Sequence, residues 1–376
     1  MSRLVAMEDQ AERGQHADLQ WFYYHMEKAD STVMSAVARR LAFIDSLDWE
    51  IRLVESADPV LAQEQALALR EAYDRIDNLK DAARHLATAL FRGYAHLDKY
   101  PSGWGRRVAH LEPVPQWLWV RRLPDGGWLY NPDANSCPSR AQPVDRRTLM
   151  IHAAPALYRN IARHFFSKTL AFADWDTALE NSANQSIFVV GPPGVPADKQ
   201  EEYKSVAERI TSDGRGYLPN GSDIKTVDLF ARSKLPFLDR IDYCDRQIVL
   251  AATGGLLTML TESGSGTLAG GAHSQSLMDL ARSDAARLSE TFQRDLDKEV
   301  LHAEFPHQPV AAYFAFDVPQ QQDPVALLQA IGNLSWQGYR AKLDWLQEKT
   351  GMQMELMPQP GGQAPAPTDP TQGVSP

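Results

Sequence analysis

The chain has 376 residues, a formal charge of −10, 44% apolar and 23% charged residues. That length can hold two or three compact units with cores of their own, and the composition is that of an ordinary globular protein. The acidic balance excludes simple wrapping of nucleic acid by a basic surface, though not a conduit in which tight phosphate binding would hinder movement.

The opening MSRLVAMEDQAERGQ is charged and lacks the apolar core of a secretory signal. Leu19, Phe22, Tyr23 and Met26, and then Val33, Val37, Leu41 and Ile44, recur at helical spacing. The run Trp49–Val54 alternates like a strand. Ala57-Asp58-Pro59 reads as a turn into a helix carrying Leu61, Leu67 and Leu69, and a further helix covers 79–91 and stops at Gly93. Between Tyr94 and His152, Trp, Val, Tyr, Pro and Gly dominate. Gln116–Leu123 and Gly127–Asn131 flank Pro124-Asp125-Gly126, a hairpin signal within a small antiparallel sheet.

Helix returns over 156–181, with a short strand at 184–190, the breaker Gly191-Pro192-Pro193-Gly194, a polar helix over 197–210, a strand at 224–229 and a helix over 236–252. TESGSGTLAGG at 261–271 predicts a flexible loop. Leu277, Leu280, Ala281, Ala285, Leu288, Phe292, Leu296 and Val300 then step by three or four, with Asp279, Arg282, Glu290, Arg294 and Asp297 largely off that stripe. Pro306 closes the helix. A strand-like VAAYFAF and a helix over 324–349 come next, and the Pro/Gly/Gln-rich tail from Pro358 has the composition of a disordered segment. No stretch approaches ~20 uninterrupted apolar residues, so no membrane-spanning helix is expected.

The residues point to no enzyme. Gly264, Gly266 and Gly270 are one residue too long for a dinucleotide fingerprint, and Ala272-His273 stands where a P-loop needs Lys-Ser/Thr. There is no HExxH, His302 and His307 straddle Pro306, and the other histidines are scattered, so neither metal nor cofactor is expected. Ser222 and Lys225 fit an SxxK spacing without its supporting motifs. Cys137 and Cys244 lack CxxC partners and read as free thiols. Asp174, Asp176 and Glu180 admit two readings, a solvated helix face or carboxylates lining a repulsive channel, while Arg159, Arg163 and Lys168 on the same helix read as solvated. The tryptophans lack the interleaved cations of a base-stacking platform and read as core and interface packing.

Three segments resemble the Mu-like phage portal family. In 17–51 the matching residues are Met26, Glu27, Asp30, Val33, the basic pair Arg39-Arg40, and Trp49 before a strand; in 79–100 they are Gly93 and Tyr94. The most specific segment, 240–306, carries Leu257-Thr258, Gly264-Ser265, His273, Asp284-Ala285 and Phe305-Pro306, and the last helix adds Gly338 and Trp345. The likeness covers roughly 17–350. The family's N-terminal extension is missing, as is its Gly-x-Pro before the strand within 181–200.

The resemblance implies a helix-rich α+β subunit of a homo-oligomeric ring, a dodecamer, with an α/β wing (1–155), a first stem helix (156–183), a small α/β clip (184–233), a second stem helix (234–252), a tunnel loop (253–272), a long tunnel helix (273–304), a crown or wing remainder (305–357) and a tail (358–376). Such a ring sits at the capsid vertex of the virion, after assembly in the host cytoplasm, and passes double-stranded DNA in packaging and ejection. Its partners would be the terminase large subunit, capsid and head-tail connector proteins, with no membrane and no ATPase of its own. Thr261, Glu262, Ser263, Gly264, Ser265, Gly266 and Thr267 would form the tunnel loop, and Asp174, Asp176, Glu180 and Arg240 would line the stem. Twelve such subunits would carry about −120, a field that repels phosphate and suits sliding. Two other classes stand beside this reading: another head-morphogenesis or adaptor protein, and a hydrolase using Ser222 and Lys225.

Overall fold

The computed structural model describes residues 2–101, 107–123, 125–135, 140–183, 187–190, 199–213, 223–226, 236–255, 267–318 and 331–332. The chain divides into two units, 1–318 and 319–376, and of the second only the helical pair Ile331-Gly332 is described.

Helices open the first unit: α1 (Ser2–Glu12), α2 (Ala17–Ala29), α3 (Ser31–Asp45), α4 (Pro59–Asp74), α5 (Leu79–Ala87) and α6 (Ala89–Arg92). Their boundaries reflect local chemistry. The Asp30 carboxylate caps α3 by accepting from the Thr32 and Val33 amides at 2.9 and 3.0 Å. Asp58 accepts from the Val60 amide ahead of α4, whose first residue is Pro59. Gly93 ends α6 at φ +97°, a left-handed position that strains a residue with a side chain. The first helix, α1, is not expected from sequence; Leu4, Met7 and Ala11 on its inner face are buried.

Among the described residues ten strands form four small sheets, every ladder antiparallel. β2 (Tyr94–Pro101) lies between β3 (Val108–Val114) and β7 (Leu149–Ala153). β4 (Trp119–Arg121) and β5 (Trp128–Tyr130) form the expected hairpin, which β6 (Gln142–Pro143) extends. β1 (Asp48–Leu53) pairs with β10 (Ala312–Asp317), joining residues more than 250 apart in sequence. The other pair, β8 (Ile187–Val190) with β9 (Asp223–Thr226), lies beyond α7 (Tyr158–Ala183) and before α9 (Phe237–Thr253); α8 (Gln200–Asp213) falls between these strands.

The core is helical and aromatic. Tyr73, Phe292 and Phe314 are buried together, with ring centroids of Tyr73 and Phe314 4.4 Å apart and Phe292 and Phe314 4.9 Å apart. On α4 the buried stripe runs through Ala62, Gln65, Leu69 and Tyr73. Leu67, on the same helix, is 72% exposed, because two residues of helix turn a side chain about 200° away from Leu69.

The long helix differs from expectation at its start and part-way along its course. α10 (Thr267–Phe292) begins inside the segment read as a loop, so Thr267–Gly271 are helical. Glycine inside a helix costs about 1 kcal/mol relative to alanine. Burial of Ala281, Ala285, Leu288 and Phe292 further along this helix outweighs that cost at Gly270 and Gly271. Beyond Phe292 the helix passes through a π-turn, Gln293–Asp297, into α11 (Lys298–Glu304). The extra residue of a π-turn rotates the downstream part of a helix about its axis. Asp297, read as lying off the apolar stripe, is turned inward and is 2% exposed. There it accepts hydrogen bonds from the Tyr73 hydroxyl (2.5 Å) and the Phe314 amide (2.8 Å). Burial raises its carboxyl above the usual range, and these two donors oppose that shift.

Candidate functional site

α7 and α9 form an antiparallel pair: Lys168 meets Asp245, and further along α7 the Trp175 ring lies over Phe237, nearer the start of α9. The early turns of α7 enter the body through Tyr158, Ile161 and Ala162, and the late turns of α9 through Ile248, Val249 and Ala252, all buried. The opposite ends lead toward the β8–β9 pair. On the outer half of this hairpin Phe172, Leu179 and Leu238 are exposed. Cys244 is a buried free thiol on the inner face of α9, its acidity weakened by burial; Cys137 lies outside the described residues.

Asp174, Asp176 and Glu180 are exposed on the outer half of α7. Arg240 is exposed on α9, its guanidinium 5.6 Å from the Tyr243 ring centre. Asp239 and Asp242 are exposed beside it. Among the described residues no ion pair joins Arg240 to the three α7 carboxylates. The hairpin therefore unites the four stem candidates on one projecting element but not in one bonded cluster. Thr261, Glu262, Ser263, Gly264, Ser265 and Gly266 lie outside the described residues, and Thr267 opens α10. Ser222 is also outside them, while Lys225 lies in β9.

The base of the hairpin is held by buried charge. Lys168, read as solvated, is 7% exposed and lies 2.8 Å from Asp30 and 2.6 Å from Asp245, tying α7 to the α3 cap and to α9. The cause is position: stepping by three and four from Ile161 through Phe165 leads to Lys168 on the apolar stripe. A lysine on such a stripe is the signal that a buried carboxylate faces it. Arg159 and Arg163 sit nearer the surface, paired with Glu12 at 2.8 Å and Glu8 at 3.4 Å. Arg40 reaches Asp284 on α10 (2.9 Å) and donates to the Ala252 carbonyl on α9 (2.7 Å). Arg92 pairs with Glu27 at 2.9 Å, and the Tyr158 hydroxyl donates to the same carboxylate.

Glu27, Asp30, Arg40 and Asp284, which carried the sequence likeness, thus brace the hairpin and its neighbouring helix. Among the described residues no group of His, Cys, Asp and Glu could hold a metal ion, and no helix is long and apolar enough to cross a membrane.

The family described as the portal protein of Mu bacteriophage matches residues 20–352. The chain is 22% identical to the Mu-like prophage FluMu protein gp29 of Haemophilus influenzae over 86% of its length, and 23% identical to the portal protein of Escherichia phage Mu over 96%. It spans 65% and 71%, about two thirds, of those relatives' own lengths. A chain in the virion of a native gene transfer agent particle shares the fold with a TM-score of 0.55 and 15% identity, covering 89% of this chain and 93% of that one. A chain from the neck of the same kind of particle, computed with C12 symmetry, gives 0.54 and 14%, covering 87% and 92%. With the family match running from α2 through the hairpin and the long helix, the chain belongs to the portal protein family of Mu bacteriophage.

Proposed function

We propose that the chain is one subunit of a twelve-fold ring at a capsid vertex of the virion, through which double-stranded DNA is packaged and ejected. The observation that carries this reading is the projecting α7–α9 hairpin, with exposed carboxylates on its outer half and a small strand pair beyond it. The neck with C12 symmetry in the similar gene transfer agent particle supports the ring number.

In this reading α7 and α9 are the stem helices. The strand pair and α8 belong to the clip, where terminase and later head-tail connector proteins dock. The tunnel loop, Thr261 to Thr267, is the part that meets the DNA. The stem carboxylates, repeated around the ring, repel phosphate, so DNA slides rather than binds. The subunit is structural, and the motor that hydrolyses nucleotide is a separate protein.

Negative-stain microscopy and native mass spectrometry of the full chain test the ring. Rings with a central channel are expected, and a strict monomer at all concentrations sinks the reading. Deleting Gly264–Gly270 should leave rings intact while lowering packaged or retained DNA. Normal packaging by that variant would remove the tunnel assignment alone.

A further inference from the structure

Along one side of the body, the helical turn Arg146–Thr148, β7 and the α10–α11 helix enclose two adjoining cavities of about 540 and 650 Å³. They share Arg146, Leu149, Arg294 and Asp295 and so form one groove. On a chain of charge −10 this groove is basic.

Several of its charges already have partners: Lys99 with Glu299 at 2.5 Å, Arg107 with Glu304, and Arg294 with Asp295 at 2.7 Å. Arg146, Arg147, Arg287 and Lys298 are exposed and have no carboxylate within ion-pair distance among the described residues. One lining carboxylate, Glu290, is likewise unpaired among them. The arrangement is built: the Asp145 carboxylate caps the turn by accepting from the Arg147 amide at 2.9 Å, which holds both arginines on the rim. Leu149 and Leu296 are buried beneath, and Val108, Val300 and Ala303 extend the apolar wall.

Four free cations facing one free carboxylate call for an anionic partner. The apolar wall and Glu290 favour protein side chains over a duplex, whose outer face is a row of phosphates that Glu290 repels. We infer that this groove receives an acidic surface of the neighbouring copy in the ring. Charge complementarity carries the choice of occupant: away from the α7–α9 stem, the same chain exposes Glu55, Asp58 and Glu64 around the start of α4 without ion-pair partners among the described residues. A ring closed by head-to-tail contacts presents one patch of each subunit to a different patch of the next, so every groove is filled by an identical neighbour. The contact also lets strongly acidic copies associate without net repulsion at their seam. This inference rests on the ring reading above.

The test measures ring formation by the full chain with mass photometry, across protein concentration and salt, for wild type, Arg146→Glu/Arg287→Glu and the milder Arg146→Gln/Arg287→Gln. Thermal melts check that each variant folds. The wild-type ring should weaken as salt rises. The charge reversal should raise the concentration for half-assembly about tenfold or more, and the neutral pair less, both with a flatter salt dependence. Wild-type rings indifferent to salt would overturn the inference, as would folded variants that assemble like wild type; the ring reading would survive either result. Variants that keep wild-type assembly but lose binding to a short DNA duplex would reassign the groove to nucleic acid. A wild-type chain that never forms rings removes both readings.

Discussion

At Lys168 on α7, an ammonium is sealed between Asp30 and Asp245. About two turns further along the same helix Asp176 stands exposed, and about one turn beyond it Glu180 does too. α7 is continuous through both positions, so propensity does not distinguish them. The difference lies in what surrounds the helix. In the body, α3 and α9 close over it and bring carboxylates within bonding distance. Among the described residues the start of α9 lies alongside the outer half, where five carboxylates stand with Arg240. Charge in the body locks elements together. Charge on the projection is left over for something outside the subunit.

The sharpest way to break this contrast is at Lys168. Lys168→Met takes the ammonium away from the buried Asp30 and the half-buried Asp245, and removing one partner of a buried pair costs about 3–5 kcal/mol. Urea denaturation should show that loss; a change below about 0.5 kcal/mol would mean that the pair is solvated after all.

Acid tests the body as a whole. Burial holds His16, His85 and His152 near pKa 4, below the ordinary 6.5. Each is neutral in the folded chain at pH values where the unfolded chain has begun to bind a proton. Stability is therefore full above about 6.5 and falls as pH drops toward 4, by up to about 3 kcal/mol for each histidine. His85→Gln should remove part of this slope between pH 7 and 4.5, and an unchanged slope would show that His85 is not the titrating group.

Tyr73→Phe removes the hydroxyl donor from the buried Asp297 carboxylate and leaves it the Phe314 amide. The expected loss is about 1–3 kcal/mol, read as a lower denaturation midpoint. Smallest of all should be Asp174→Asn/Asp176→Asn/Glu180→Gln. On the single subunit that change should lie within about 0.5 kcal/mol, while packaged DNA falls or its passage slows in an assembly assay. A large loss of subunit stability would show that these carboxylates belong to the body after all.

Much of the architecture was legible. The turn at Asp58-Pro59, the stop at Gly93 and the hairpin around Asp125-Gly126 are written in local chemistry over a few residues. The α7, α9 and α10 helices obey their apolar period, with ends within a few residues of expectation except at Thr267. The features that escaped are non-local. Lys168 looks like any surface lysine until α3 and α9 arrive, and Arg40 like half of a basic pair until Asp284 and the Ala252 carbonyl face it. Leu67 looks like core by residue type, but its angle around the helix points it to solvent. Asp297 sits off the apolar stripe of a regular helix, and a π-turn shifts the helical phase without leaving a mark on the residues that form it.

By itself, then, the amino-acid sequence determined the elements, their caps and turns, the acidic balance and the family likeness, because each depends on neighbours along the chain or on patterns spread through it. The tertiary structure decided which charges are buried and which are free. Burial and pairing depend on elements separated by scores or hundreds of residues, such as Arg40 with Asp284, and so does the groove that Arg146 and Arg287 both line. Those pairings make a braced body with an acidic projection and a basic groove.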